Sequence, residues 1–399
     1  MNLSQSNRLM PQEEMLEVRR SRKALTIGLP RETDKLEKRI VLVPNAVGQI
    51  VRNGHRVLVE TDAGKASHFS DREYSEDGGE IVSSAEEVYK ADIILKVAPL
   101  SDDEVGLLRK GQAIISSLQL PDRDKSYFTR LAEQKVTALA YELIRDHSGT
   151  YPVLQSMSEI VGRAAVYIAA EYLSNTDYGR GNMLGGLPGI TPTEVMIIGA
   201  GTVGENAARA ALFAGAQVKV FDDNIYKLRR LQQNVHQAVF TSILQPKVLQ
   251  KALTTADVVI GALHFGDGKS KYLIPEDMVR QMKYGSVIVD VSIDQGGCFE
   301  TSRKTTHQDP VYKIYDVTHY CVPNIASKYP HTASYALSNF FTPVILRIGE
   351  EGGLRNLFKA VFGICQGAYL YKGILTNKQI GERYDLPFQN IELLMAAFD

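Results

Sequence analysis

An α/β protein of two parallel-sheet units with a cleft between them is what this sequence predicts, and three observations predict it. Apolar, β-branched runs alternate with helical patterns from end to end, the signature of parallel α/β architecture. At 399 residues the chain exceeds what one hydrophobic core ordinarily serves. Residues 195–224 read VMIIGAGTVGENAARAALFAGAQVKVFDDN. That is a strand, a glycine turn, an alanine-rich helix and a second strand stopping on acid, the opening of a Rossmann-like unit.

The elements follow in order. Residues 1–23 mix Glu13, Glu14 and Glu17 with Arg19, Arg20, Arg22 and Lys23 and lack an apolar stretch. They read as a short helix or a disordered leader, not a secretory signal. Residues 24–151 form the first segment of a substrate domain, with strands expected at 24–29, 56–60, 92–97, 113–118 and 136–141. Each is a short apolar run, and helical patterns at 44–53 and 125–134 lie between them. Residues 152–330 form the second Rossmann-like domain. It opens with a helix at 156–173 and a glycine-rich loop at 179–189, then runs through the glycine turn to strands at 257–263 and 286–291. Residues 331–399, dominated by a helix at 332–349 and beyond, return to complete the first domain. A cleft between two such domains is where a dinucleotide meets a small substrate.

Within the turn, Gly199 makes the tight bend and Gly201 lets the backbone approach a pyrophosphate on the amide-rich start of the helix. Val203 belongs to the same turn, and Gly204 lets helix and sheet pack closely. Asp222, ending the next strand, is placed to accept hydrogen bonds from ribose hydroxyls and to repel a 2′-phosphate, favouring NAD over NADP.

Composition narrows the function classes. With 45 basic and 46 acidic residues the formal charge is −1, which gives no electrostatic reason to expect nucleic acid or a membrane surface. No apolar run has the length of a membrane span. The three cysteines (Cys298, Cys321, Cys365) lie far apart, so neither a disulfide framework nor a metal site is indicated. A cytoplasmic address follows.

Several long strings accompany the glycine turn: IGLPRETDKLEKRIVLVP (27–44), SMSEIVGRAA (156–165), GGLPGI (185–190), DVSIDQGGCFETSRKTTHQDP (290–310) and THYCVPNIASKYPHTASYALSN (318–339). Together they resemble the alanine dehydrogenase family, shared with the nicotinamide-binding first domain of proton-translocating transhydrogenase. The resemblance covers nearly all of residues 25–350. It implies NAD-dependent oxidative deamination of L-alanine to pyruvate and ammonium, normally in a homo-hexamer. It also implies site residues. Arg39 matches the arginine that holds the substrate carboxylate, a task suited to a planar guanidinium. Asp294 matches the catalytic aspartate, Ser158 and Asn324 match positions contacting cofactor or substrate, and Lys227 matches one on the adenosine side.

Three positions depart from the pattern. The family's KVKEP places a lysine where this chain has Ala98, its catalytic histidine falls on Gln119, and a tyrosine falls on Ser117. No lysine or histidine occurs between Val97 and Leu108, and no histidine between Phe69 and His147, so a short alignment shift restores neither. An amide does not titrate near neutral pH, and loss of a general base costs on the order of 10²–10⁴ in rate. Three readings stay open. The chain is an amino-acid dehydrogenase using another acid–base group (Asp294 through water, or one of His264, His319 and His331). It is an NAD-binding partner without turnover. Or it is a transhydrogenase-like hydride-transfer subunit. Removing two long side chains also enlarges the pocket beside Ala98 and Ser117, which points to a substrate bulkier or more polar than alanine.

Overall fold

A computed structural model describes residues 23–263 and 273–397. The first unit opens with six strands: β1 (Thr26–Leu29), β2 (Arg56–Glu60), β3 (Glu80–Val82), β4 (Ile93–Leu95), β5 (Ala113–Ser116) and β6 (Thr137–Ala140). The second contains β7 (Glu194–Ile198), β8 (Gln217–Phe221), β9 (Phe240–Ser242), β10 (Val258–Gly261), β11 (Val287–Asp290), β12 (Val311–Ile314) and β13 (Val317–Tyr320). The chain then returns to the first sheet through β14 (Ala368–Tyr371) and β15 (Ile374–Leu375). The first sheet runs β15-β14-β6-β5-β4-β1-β2-β3 and the second β12-β13-β11-β10-β7-β8-β9.

Alternation along each strand explains why both sheets are buried on both faces. Ile27, Val57, Ile93, Ile115 and Leu139 enter one core of the first sheet, while Leu58, Ile94, Ile114 and Ala138 enter the opposite one. In the second, Val195, Ile197, Val218, Val220, Val258 and Ile260 face one core and Met196, Ile198, Phe221 and Val259 the other. Helices cover each face, so central strands such as Ile93–Leu95, Val258–Gly261 and Val287–Asp290 are nearly continuous apolar runs, while the edge strands carry polar residues.

The strand expected at 56–60 has those bounds, and the others are shorter at one or both ends, because the flanking residues leave the hydrogen-bonded ladder. Five pairings in each sheet follow the parallel pattern expected, with antiparallel additions at the edges. The region beyond 350 supplies a hairpin as well as helices. Its two-residue turn, Lys372-Gly373, has positive φ at both positions, the geometry that closes a tight β-hairpin. Tyr315-Asp316 closes β12 onto β13 in the same way.

Two helices join the units. Pro152–Ser174, 23 residues long, begins with Val153 and Met157 in the first unit's core and ends with Ile168, Ala169, Tyr172 and Leu173 in the second's. It meets Thr202–Phe213 closely at Gly162, where a Cβ would overlap the Val203 carbonyl oxygen. Pro330–Glu350 brings the chain back, burying Leu337, Phe341, Ile345 and Ile348 in the first core. None of the described helices is long and apolar enough to cross a membrane.

Candidate active site

The glycine turn joins β7 to the helix Thr202–Phe213. Gly199 has φ +113°, a conformation open to glycine, and a side chain there would strike Ala262. A Cβ at Gly204 would overlap the Gly199 carbonyl oxygen, so helix and turn touch backbone to backbone. At Gly201 a Cβ would meet nothing within 4 Å. The turn is therefore sealed on the protein side and open where a phosphate would approach the helix start, and Val203 is half-exposed beside it.

Asp222 is 1% exposed, and its carboxylate holds the turn together. Oδ2 accepts the Ala200 N–H at 2.6 Å and Oδ1 the Asn224 N–H at 2.8 Å. Its neighbour Asp223 is exposed, and its carboxyl is raised by a hydrogen bond to Asp222, with partial burial adding and the Lys227 ammonium opposing. Lys227 follows in the helix Ile225–Val235, which Asn224 caps. Ser158 lies half-buried on Pro152–Ser174, one residue after Met157.

Arg39 sits in an irregular segment whose backbone would be unsatisfied but for serines. Ser327 accepts from Lys38 N–H, Ser334 from Ile40 N–H and Ser338 from Val43 N–H, while Ser67 donates to the Lys38 carbonyl. So fixed, Arg39 is buried, with Nε 2.7 Å from Glu37 Oε1 and Nη2 2.6 Å from Glu37 Oε2. The fork expected for a substrate carboxylate is thus already engaged by Glu37, leaving Nη1 beside the Met157 sulfur at 3.4 Å. Burial opposes the guanidinium charge, but the Glu37 carboxylate outweighs it and holds the group ionised; the same pairing holds Glu37 below its usual range.

Glu37 also ties the units together. Its Oε2 accepts from Asn324 Nδ2 at 3.0 Å, and Asn324 adopts φ +54° just beyond β13. Asp294 occupies the 3₁₀ turn Val291–Gln295 at the end of β11. It reaches solvent while protein crowds it, and this burial raises its carboxyl, opposed by Lys304 and the Asn324 amide. Asp122 of the first unit adds to the rise, so the turn Leu120–Asp122 lies within electrostatic reach of Asp294. Asp294, Asn324, Arg39 and the 117–122 segment therefore converge where the two units meet.

Beneath that junction lies a buried charge cluster. Lys96 Nζ is 2.5 Å from Glu104 and 3.6 Å from Glu32. Glu32 accepts N–H bonds from Val97 at 2.6 Å and Ala98 at 3.2 Å. Burial raises Glu32 to about 7, with Lys96 opposing and Glu37 adding. Ser117 is buried facing the Tyr141 hydroxyl, which donates to the Val97 carbonyl at 2.9 Å, and the Ser117 hydroxyl makes no hydrogen bond of ordinary geometry among the described residues. Gln119 is half-buried at φ +49°, its turn held by Glu142, whose Oε1 accepts the Leu118 and Gln119 amides.

Sequence and structure comparisons place the chain in a family. Residues 28–161 match the family described as alanine dehydrogenase/PNT, N-terminal domain, and 165–378 its C-terminal domain. Alanine dehydrogenase of Mycolicibacterium smegmatis is 36% identical over 373 residues, 93% of this chain and all of the relative. Alanine dehydrogenase 2 of Staphylococcus aureus is 38% identical over 92% of this chain and 99% of its own length. The chain belongs to the alanine dehydrogenase/PNT family. A solved L-alanine dehydrogenase superposes with a TM-score of 0.85 at 34% identity, covering 90% of this chain and 99% of that one. A transhydrogenase from Sinorhizobium meliloti, at 23% identity and a TM-score of 0.75 over 89% and 99% of the two chains, shares the fold.

Within this member of the family, the candidate histidines sort by environment. His319 is fully buried, with Nε2 2.8 Å from Thr301 Oγ1 and Nδ1 3.0 Å from the Val317 carbonyl, and burial lowers it to about 4. His331 stacks on Phe69 and meets the Ser67 carbonyl at the first unit's surface. His264 lies outside the described residues. Sequence reasoning passed over His307, which sits near Asn324, Glu37 and Lys38 with Nε2 unpartnered among the described residues. It also passed over Glu32 and Glu37. Their only signal was a run of seven charges, Arg31, Glu32, Asp34, Lys35, Glu37, Lys38 and Arg39, within which nothing local singles out the buried ones. Among the described residues no cluster could hold a metal ion.

Proposed function

We propose that the chain is an NAD-dependent amino-acid dehydrogenase, oxidising an L-amino acid to its 2-oxo acid and ammonium. One observation carries this reading: Glu37 holds Arg39 of the first unit and Asn324 of the second in one contact, on the same edge as Asp294. A substrate there lies against a guanidinium and beside the strand ends where a dinucleotide's nicotinamide would project. Gly199, Gly201, Val203, Gly204 and Asp222 would hold the pyrophosphate and adenosine side, with Lys227 near the ribose and Ser158 toward the nicotinamide. When bound, the dinucleotide supplies the hydride acceptor.

In this reading Arg39 Nη1, the one guanidinium nitrogen not committed to Glu37, orients the substrate carboxylate. Asp294 and Asn324 face the reacting carbon, and Gln119 contributes hydrogen bonds without titrating. Ala98 and Ser117 leave room for a side chain larger than that of alanine. The assembly is proposed as a homo-hexamer in the cytoplasm, checked by light scattering of the purified protein.

The test is NADH formation across a panel of L-amino acids, with Gln119→His in parallel. The expected result is turnover by the parent, with a residue larger or more polar than alanine as best substrate. A panel led by alanine counts against the enlarged pocket. Gln119 and Ala98 also favour a second reading, NAD binding without turnover. Silence from both parent and variant, with NAD still raising Tm, would establish it. A transhydrogenase-like role would instead appear as hydride exchange between two nicotinamide dinucleotides in the absence of any amino acid.

A further inference from the structure

We propose that Glu32 is the proton-carrying group of this site, taking the place of the histidine that Gln119 replaces. The inference rests on the dehydrogenase reading above and names the residue that completes it.

Charge bookkeeping around Arg39 singles this carboxyl out. Arg39 is committed to Glu37 through two hydrogen bonds, and Lys96 is closest to Glu104 at 2.5 Å. Glu32 is the third acid in a cluster with two cations, 3.6 Å from the shared ammonium. The missing cation is the lysine that the family pattern carries at position 98. Glu32 accepts the N–H of residue 98, so it lies directly under the point where that lysine would be rooted. With Ala98 there, nothing neutralises Glu32 fully. About a tenth of its side-chain surface remains open, at 9%, whereas Glu37 is sealed at 1%.

The environment then sets how it titrates. The charged and titratable groups facing it are Lys96 on the strand side, Glu104 from the helix Asp102–Gly106, and Glu37 and Arg39 from its own segment. Tyr89 adds a buried phenol, with Glu60 reaching the Arg31 amide behind. Burial raises the carboxyl to about 7, where a group can both accept and return a proton at neutral pH. Above that pH it is a carboxylate and can act as base.

The chemistry balances. The substrate arrives as an ammonium, and carboxylate Glu32 takes one N–H proton. The Cα–H bond pair then leaves as hydride to the dinucleotide, which is the two-electron oxidation, giving an iminium. Water adds to that carbon and loses a proton to solvent, and Glu32 returns its proton to the nitrogen. The C–N bond then breaks as the new hydroxyl gives up its proton to form the carbonyl, and the departing ammonia takes that proton to become ammonium. The net products are the 2-oxo acid, reduced dinucleotide, ammonium and one proton released to solvent.

Two measurements test this. The side-chain carboxyl of Glu32 is titrated by ¹³C NMR in the full chain, assigned by its disappearance in Glu32→Gln, with a midpoint near 7 expected. In parallel, kcat/KM for the best amino acid should rise through pH 7 in the parent. It should fall by on the order of 10² in Glu32→Gln and lose that rise, while the NAD-induced Tm shift is kept. Formate should restore part of the activity of Glu32→Ala, which a purely structural role would not allow. An ordinary midpoint near 4.5, or a Glu32→Gln enzyme keeping both rate and pH profile, overturns the assignment and leaves the dehydrogenase reading standing. A parent that oxidises no amino acid overturns both.

Discussion

The glycine turn at 199–204 and the segments at 96–98 and 117–119 do the same structural job, each ending parallel strands at the cleft, yet they are held in opposite ways. The turn is fixed by backbone contacts and one buried carboxylate, Asp222, whose partners are amides two and twenty-two residues away. The 96–98 segment is fixed by side-chain contacts among Lys96, Glu32 and Glu104 beneath it, and by the Glu32 carboxyl accepting the Val97 and Ala98 amides. Backbone packing tolerates little change, because a glycine contact has no spare room. A charge cluster can lose a member and redistribute its protons. The glycine turn is therefore the less forgiving of the two to substitution, and the charge cluster the more adaptable.

The largest expected effect lies on the rigid side. Gly204→Val puts side-chain atoms into the Gly199 carbonyl. It should destabilise the second unit by on the order of 3 kcal/mol and abolish the NAD-induced Tm shift. A variant that still gained the parental shift would break the contrast between the two sides.

On the adaptable side, Arg39→Met should lower kcat/KM by about 10²-fold through lost orientation of the substrate. It also leaves the buried Glu37 without its cation, the Asn324 amide remaining, at a cost of roughly 3–5 kcal/mol. Adding Glu37→Gln should return much of the stability, read by denaturant unfolding, but none of the activity. Recovery of both together would show that Arg39 serves packing alone.

Ala98→Lys sharpens the comparison more gently, by giving the cluster its third cation. An ammonium within about 4–6 Å of a carboxyl lowers its pKa by 1–3 units, so the midpoint near 7 should drop by at least about one unit. Since the deprotonated carboxyl is the active form, the rise of kcat/KM with pH should move to lower pH by the same amount. An unmoved profile would separate Glu32 from the rate.

The same division explains how much was legible in the sequence. The alternating strands, the two units and the glycine turn were readable because local pattern dictates them: Val195, Ile197 and Gly199 each announce their place. The pairing of Glu37 with both Arg39 and Asn324 was not, since 287 positions separate Glu37 from Asn324 and only the fold brings them together. Nor was the burial of Glu32, because an acid in a loop reads as exposed until three neighbouring elements close over it. The hairpin Ala368–Tyr371 with Ile374–Leu375 was concealed differently. Its strands are too short to outweigh the helical patterns on either side, and Lys-Gly is a weaker turn signal than Asn-Gly.

The smallest effect expected concerns the two acids that end β8. Asp222 spends both oxygens on the Ala200 and Asn224 amides, so its first task is to shape the turn. Asp223 is exposed, bonded to Asp222 and within the field of Lys227. Asp222→Asn replaces one acceptor by a donor facing an amide. It should weaken NAD binding by about tenfold, the worth of one lost hydrogen bond to a charged group. Asp223→Asn removes charge while leaving the turn alone, so NAD affinity should change by less than about threefold. If the pair excludes a 2′-phosphate by charge, the gap between NAD-induced and NADP-induced Tm shifts should narrow in both variants. If Asp222 excludes it by position, the gap should narrow only in Asp222→Asn. Equal shifts by NAD and NADP in the parent would remove the role assigned to Asp222 altogether.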